Sequence, residues 1–577
     1  MKRLLLILVL CLLPSLAGAT TYFADPAGGG AASCVDSGAN VCTLTRALTV
    51  AATGDTITAA CGTYSQGATT VTVSKNITLS AVTSLCAIIT GTNATAIVTL
   101  TASNDANVLT FSGFEIQNTG GATSSGVSIT NVAYDASVTF TGNLISVGGT
   151  NRHLVDAYTR GTVRITNNTF TGTVGAQECI HALVTPSSAK KLVVTGNTFT
   201  LTYSASSNAS IHVERAAGNA VSFFAYVANN TITATMPTGL GNAMTTIGIR
   251  LKRITMGTDL NGVTTPPIVE NNTISMTATA VTAADVYAIL ADSTDATALG
   301  DGVVIRNNVA TCNAPSTRCI AIGNDGVTAN NVSNAQVTGN RVYGPFYDGS
   351  ATPHGLSIGR TVNAYVWGNT VTGFAAGILV SMGTTHVVTG NLIIGATYAP
   401  LFAKANTSAT ISNNTVIMDD ALYGVVFGGF KACMSVSVQG ATNNAATTFQ
   451  NNNCYVRSGT GWSYAVVANS QVANFDHNNA WSLVTLTTPW SYQSTTYATV
   501  SLWNAAATVG TDTNVDPVFV DPATDYRLAN TSTLRGAGLF WGAACADVRG
   551  RRCFMPVDVG GYQTGGGDPA SDRTARN

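Results

Sequence analysis

The sequence predicts an all-β solenoid, a single elongated body in which short strands are wound into stacked turns. Three observations predict it. A phrase of alternating apolar residues, then Gly-Asn or Asn-Asn, then alternating apolar residues again recurs about a dozen times, as VTFTGNLIS around Asn143, VRITNNTFT around Asn168 and VVIRNNVAT around Asn308. Its corner asparagines step by 22 to 42 residues from Asn143 to Asn479, a period belonging to repeat architectures and overriding the multi-domain expectation of a 577-residue chain. The composition agrees: only 10% of residues are charged, while Thr, Val, Asn, Ala and Gly abound, which excludes disordered and coiled-coil classes. With 27 Lys+Arg against 28 Asp+Glu, the formal net charge is -1, so no global field collects nucleic acid or an anionic membrane.

Residues 1–19 read as a signal peptide. Lys2 and Arg3 precede an apolar run from Leu4 to Leu13, with small residues Ala17 and Ala19 at the cleavage positions. The run is shorter than the roughly 20 residues that span a bilayer. The mature chain is therefore expected to be exported, secreted or periplasmic, with no membrane insertion after cleavage. Residues 20–100 form an N-terminal cap and first turns. Leu44, Ala47, Leu48 and Ala51 recur at helical spacing, and Gly54-Asp55 breaks the pattern before a strand at Thr56–Ala59. A short amphipathic helix there would plug the open end of the solenoid, which otherwise exposes unpaired strand edges.

Residues 101–490 carry the repeats. The shortest steps suit three short strands per turn, and longer ones imply loops inserted into a constant ring. Asn tolerates left-handed backbone, and a buried Asn amide can hydrogen-bond its own corner and the Asn one turn away, so a stacked ladder is expected. Residues 491–563 read as a C-terminal β segment, with Trp481, Trp490 and Trp503 packing over the open end. Residues 564–577 lack apolar pattern and read as a disordered tail.

Export places the cysteines in an oxidising compartment. Chain neighbours suggest Cys34 with Cys42, Cys61 with Cys86, Cys312 with Cys319, Cys433 with Cys454 and Cys545 with Cys553, leaving Cys179 as a buried thiol. None of the spacings makes a zinc site, so no metal ligand is assigned.

The repeat resembles that of right-handed parallel β-helix proteins, the pectate-lyase-like superfamily, from about Asn107 to Asn479. TLTRALTVAATGDTITAACGTY resembles the N-terminal start of that helix, and DPVFVDPATDYRLANTSTLRGAG with DVRGRRCFMPVDVGGYQ resembles the C-terminal region of many secreted members. The resemblance implies a single-stranded right-handed parallel β-helix of roughly twelve or more turns. It leaves the reaction open, because this scaffold carries lyases, hydrolases, esterases, tailspikes and adhesins.

In such a scaffold function comes from outward residues stacked across turns. Aligning the strands VDAY, IHAL, IHVER, IRLKR, ILAD, IAIG, LSIGR, ILVS, LFAK and VVFG gives an outward column of Asp156, His181, His212, Arg250, Leu290, Ala321, Ser357, Leu379, Phe402 and Val426. The next outward column reads Tyr158, Leu183, Glu214, Lys252, Asp292, Gly323, Gly359, Ser381, Lys404 and Gly428. Asp156, His181, His212, Glu214, Arg215, Arg250, Lys252, Arg253 and Asp292 thus gather on consecutive turns. One reading is a solvated face with weak cross-turn ion pairs. The sharper one is a groove for an extended, acidic polysaccharide or cell-surface glycan. There Asp156, Glu214, Arg215, Arg253 and Asp292 bind, Lys252 or Arg250 is the base of a β-elimination, and His212 or His181 is the acid. A non-catalytic adhesin-type solenoid is the competing class. A glycoside hydrolase ranks below both, because paired carboxylates at a defined separation are not evident. No cofactor is required, although Asp292, Asp295, Asp301 and Asp325 lie in loops that could offer oxygen ligands to calcium. The chain is expected to be a monomer.

Overall fold

The computed structural model describes residues 19–538 and 558–560, except for short segments between elements, among them 237–244, 293–299, 324–331, 345–352 and 420–430. The signal-peptide reading, the Cys545–Cys553 pairing, Asp295, Asp325, Val426, Gly428 and the C-terminal tail fall outside the described residues.

Each coil contributes one strand to each of three long sheets, of 17, 16 and 15 strands among the described residues, and neighbouring coils pair in parallel. In a representative coil, Val138–Thr141 turns at Asn143 into Leu144–Val147, and the chain then returns through Val155–Thr159 before starting the next coil at Thr162–Thr166. Register runs straight from coil to coil: Val155 pairs with Ile180, Ile180 with Ile211, Ile211 with Ile249 and Ile249 with Ile289. All five are fully buried. Alternation along each strand fills the bore with Val, Ile and Phe, including stacked rings of Phe170 on Phe199 and Phe449 on Phe475, 4.7 and 4.9 Å apart. This is a right-handed parallel β-helix.

The corner splits the two jobs expected of asparagine between two residues. The first of each pair takes the left-handed conformation, as at Asn167 (φ 56°), Asn307 (56°), Gly196 (68°) and Gly339 (64°). Only residues that tolerate positive φ serve there, which explains the alternation of Gly-Asn with Asn-Asn. The second is buried and builds the ladder: the Asn143 backbone N–H and Nδ2 both donate to Asn168 Oδ1, at 2.9 and 3.0 Å. Asn168 repeats this with Asn197, and the series continues to Asn452 and Asn478. Each Nδ2 also donates to a carbonyl of a preceding strand, as Asn308 does to Val269 at 3.0 Å. At the last corner the ladder residue is Asn478, one position before the expected Asn479, because His477 holds the left-handed position (φ 54°). Asn479 instead bonds Asn453.

Both ends of the bore are closed. Leu44–Val50 is helical, its N-terminus capped by Thr43 Oγ1 accepting from the Arg46 N–H at 3.3 Å, with Leu44 and Ala47 buried. Asp55, after the positive-φ Gly54, accepts from the N–H groups of Thr20 and Ala52 and so ties helix to strand. At the far end a helix that the sequence pattern did not suggest, Val500–Ala506, inserts Trp503 edge-on against Phe475, Tyr492 and Tyr497. Trp503 is fully buried, and its Nε1–H donates to Asp512, whose other carboxylate oxygen accepts from Asn478 and ends the asparagine ladder. The hairpin of Phe519–Asp521 and Asp525–Leu528 folds back onto Leu392, Ile417 and Tyr455, so the DPVF and YRL segments cover the outside of the 15-stranded sheet.

Four expected disulfides are present: Cys34–Cys42, Cys61–Cys86, Cys312–Cys319 and Cys433–Cys454. Cys179 is a buried free thiol. Among the described residues no helix is long and apolar enough to cross a membrane.

Candidate functional site

Strand register reproduces the outward column coil by coil. Asp156 pairs with His181, His181 with His212, His212 with Arg250, Arg250 with Leu290, Leu290 with Ala321, Ala321 with Ser357, Ser357 with Leu379 and Leu379 with Phe402. At the last step the structure differs: Phe402 pairs with Ser435 and Lys404 with Ser437, the places at which Val426 and Gly428 were expected. The pattern slipped there because VVFG mimics a strand core while the paired strand is Lys431–Ser437. From Leu290 onward the first column is uncharged and buried, with Ala209, Ile247 and Tyr287 around Leu290, Ala399 around Phe402, and Ser357 and Ser435 as its polar members. The polar strip therefore ends at the coil of Asp292.

Within the strip the side chains form one connected network. The His181 Nδ1–H donates to Asp156 Oδ1 at 3.0 Å. The His212 Nδ1–H donates to Glu178 Oε1 at 2.9 Å, and His212 Nε2 lies 3.6 Å from Glu214 Oε2. The other oxygen of Glu214 holds both Lys252 Nζ at 3.0 Å and Arg253 at 2.7 Å. Arg250 grips Asp292 with two nitrogens, at 2.8 and 3.3 Å. Arg253 reaches Glu214 because its own φ is +59°, which breaks strand alternation directly after Lys252. Arg215 stands at the alternate position of its strand, paired with Val184, and is buried.

Two members escaped the column alignment. Glu178 and His153 each precede their strands by two residues, at bends where alternation is lost, so parity alone could not place them. The signal present was their spacing: His153 stands three residues before Asp156, as Glu178 does before His181. His153 stacks on His181 with ring centres 4.7 Å apart, and His181 in turn lies 5.5 Å from His212.

The network is not a solvated face. The side chains of His212 and Asp292 are 4% and 5% exposed, and even Arg250 and Lys252 reach only 21% and 18%. Burial would raise the Glu178 carboxyl, but the His212 hydrogen bond and the surrounding imidazoles outweigh it and hold it at about 2. Burial likewise opposes Glu214, whose pKa is nonetheless lowered by Lys252, His212 and Arg253. His212 and His153 are pushed below the ordinary imidazole value, chiefly by burial. Burial also acts downward on His181, but Asp156, Glu178 and Glu214 together raise it. Arg250 loses by burial and gains more from Asp292, so it stays a cation.

Asp292, expected among loop ligands for calcium, is engaged by the Arg250 guanidinium. Among the described residues two groups of His and carboxylate side chains bring one ligand atom each within 4.8 Å of one another: His153, Asp156 and His181, and His181, His212 and Glu214.

A family model described as "Periplasmic copper-binding protein (NosD)" matches residues 240–418 and 285–497. No curated protein matches the sequence. Among solved structures, tailspike protein 3 of bacteriophage CBA120 is similar at 11% identity over 89% of this chain and 65% of that chain, with a TM-score of 0.36. The Dettilon tailspike protein is similar at 12% identity over 82% of this chain and 64% of that one, TM-score 0.29. Pectate lyase Pel9A is similar at 15% identity over 95% and 97% of the two chains, TM-score 0.18. The chain thus spans somewhat less than two thirds of the length of those tailspikes. By its three parallel sheets, its coil-to-coil register and its asparagine corners, the chain is a right-handed parallel β-helix protein.

Proposed function

We propose that this chain is an exported polysaccharide-binding β-helix, secreted or periplasmic, that holds an acidic glycan along the strip from Asp156 to Asp292. One observation carries the reading: in a chain with 10% charged residues, consecutive coils about 4.8 Å apart place imidazoles, carboxylates and two cations in two adjacent outward columns, with Arg253 turned onto Glu214 beside them. A polymer lying along the helix axis would meet at least one polar side chain at every coil of the strip. Arg250 and Lys252 have the most exposed heads among the ion-paired residues of the strip, and each has more N–H donors than its carboxylate partner uses. Those donors suit a uronate carboxylate or a sulfate.

Binding is favoured over cleavage by the pairing itself. β-Elimination would need Lys252 to accept a proton while Glu214 stands 3.0 Å from its Nζ, and Arg250 is fixed as a cation by Asp292. Binding asks neither residue to change its charge. The disulfides suit the oxidising compartment that export provides.

Affinity electrophoresis of the mature chain through gels holding uronate, sulfated or neutral polysaccharides tests the reading, with absorbance of the unsaturated product followed in parallel, with and without Ca2+. Retardation by an acidic polymer is expected. Arg250→Ala and Lys252→Ala should each weaken it about tenfold to a hundredfold, the worth of one charge-assisted hydrogen bond. Absorbance growth lost in Lys252→Ala would add the eliminative step, whereas no retention by any acidic polymer would favour the adhesin-type solenoid.

A further inference from the structure

We propose that His181, His212 and Glu214 form a binding site for a borderline first-row divalent metal ion, the class that includes Zn2+. Their ligand atoms converge within 4.8 Å of one another on two strands that neighbour each other in one sheet, Ile180–Val184 and Asn208–Arg215. Bonds of ~2.0–2.1 Å to a tetrahedral Zn2+ put donors roughly 3.3 Å apart, so a side-chain adjustment of about 1.5 Å or less closes the set. A second observation is independent of this convergence. His212 is 3% exposed, and its Nε2 has no hydrogen-bond partner, although it is aimed at Glu214 Oε2 3.6 Å away. A buried ring nitrogen facing a carboxylate oxygen at 3.6 Å, beyond hydrogen-bond reach, has the spacing of two ligands of one ion.

The surroundings complete the case. Both imidazoles are held through Nδ1 by a carboxylate, Asp156 for His181 and Glu178 for His212, and this arrangement fixes the ring and directs the lone pair of Nε2. Glu214 divides its oxygens: Oε1 takes Lys252 and Arg253, and Oε2 faces His212. Two imidazoles with one carboxylate select Zn2+, Cu2+ or Ni2+ over Ca2+, which asks for six to eight oxygens that this set does not offer. The site lies before residue 240, where the family match begins, and it does not rest on the polysaccharide reading.

The test is Zn2+ titration of the chelator-stripped mature chain at neutral pH, by calorimetry and by metal content after dialysis. One Zn2+ per chain is expected, unmoved by excess Ca2+. His212→Ala should abolish it, Glu178→Gln should weaken it about tenfold to a hundredfold through the lost support of His212, and Arg306→Ala, distant from the set, should leave it intact. X-ray absorption on the Zn2+-loaded wild type, which needs no variant to fold, should show two imidazoles with oxygen donors. Absence of stoichiometric Zn2+, a metal shell without imidazole, or unchanged binding in both His212→Ala and Glu178→Gln would overturn the site.

Discussion

At the scale of single residues, the corners show how one spelling hides two functions. Gly-Asn and Asn-Asn looked interchangeable in the sequence because only the first residue varies, and that residue needs nothing but tolerance of positive φ. The second is fixed by its hydrogen bonds to the coils before and after it. His477 is the instructive exception, a residue other than Gly or Asn in the left-handed position that shifted the apparent motif by one. Another histidine makes a prediction. His386 is buried in the bore wall, 3.4 Å from Thr361 Oγ1, and burial pushes its imidazole down to about 4. The unfolded chain, with a value near 6.5, binds the proton first. Stability is therefore complete above about pH 6.5 and declines as pH falls toward 4, by up to about 3 kcal/mol from this group. Thermal unfolding of wild type and His386→Leu between these limits should show a shallower decline in the variant. Identical slopes would remove His386 from the account.

Among the elements, strands were legible and bends were not. Period-two alternation placed Asp156, His181, His212, Arg250, Lys252 and Asp292 correctly because straight register carries a column from coil to coil. The same rule could not place Glu178 and His153, which sit before their strands, or Arg253, whose positive φ re-aims it. Arg215, grouped with the strip by sequence, follows Glu214 at the alternate position and is buried. The helix Val500–Ala506 was hidden because, unlike Leu44–Val50, it shows no apolar stripe: Leu502 is exposed and its main device is one buried tryptophan, Trp503. That device leads to a second prediction. Asp512→Ala removes the acceptor of three donors, the Asn478 N–H, Asn478 Nδ2 and Trp503 Nε1. Each orphaned donor costs about 1–3 kcal/mol where water cannot replace it, so a loss of about 3 kcal/mol or more is expected. Because coils couple only to their neighbours, hydrogen exchange should rise in the last coils, around Thr447–Gln450 and Ala473–Asp476, and not around Val155–Thr159. Uniform acceleration along the chain would contradict that locality.

Over the whole molecule, a long insulated bore supports one short chemical strip. Stability is spread over three sheets and an asparagine spine, so the outer columns are free to vary, and only over the coils from Asp156 to Asp292 do they concentrate charge. Farther along, the first of these columns loses its charge and is buried. The fold could be derived from the repeat alone, and so could the location of the strip. Its character could not, because burial and pairing turn what looked like a cationic groove into a network in which every described cation faces a carboxylate. Whether that network receives a glycan is the central claim, and a crystal structure of the mature chain with a bound acidic oligosaccharide tests it most directly. The account predicts sugar density running along the helix axis over the strands from Val155–Thr159 to Asp285–Asp292, with a carboxylate or sulfate on Arg250 and Lys252. Density confined elsewhere, for instance to the C-terminal cleft of about 400 Å³ lined by Tyr464 and Trp490, with the strip bare, would contradict it.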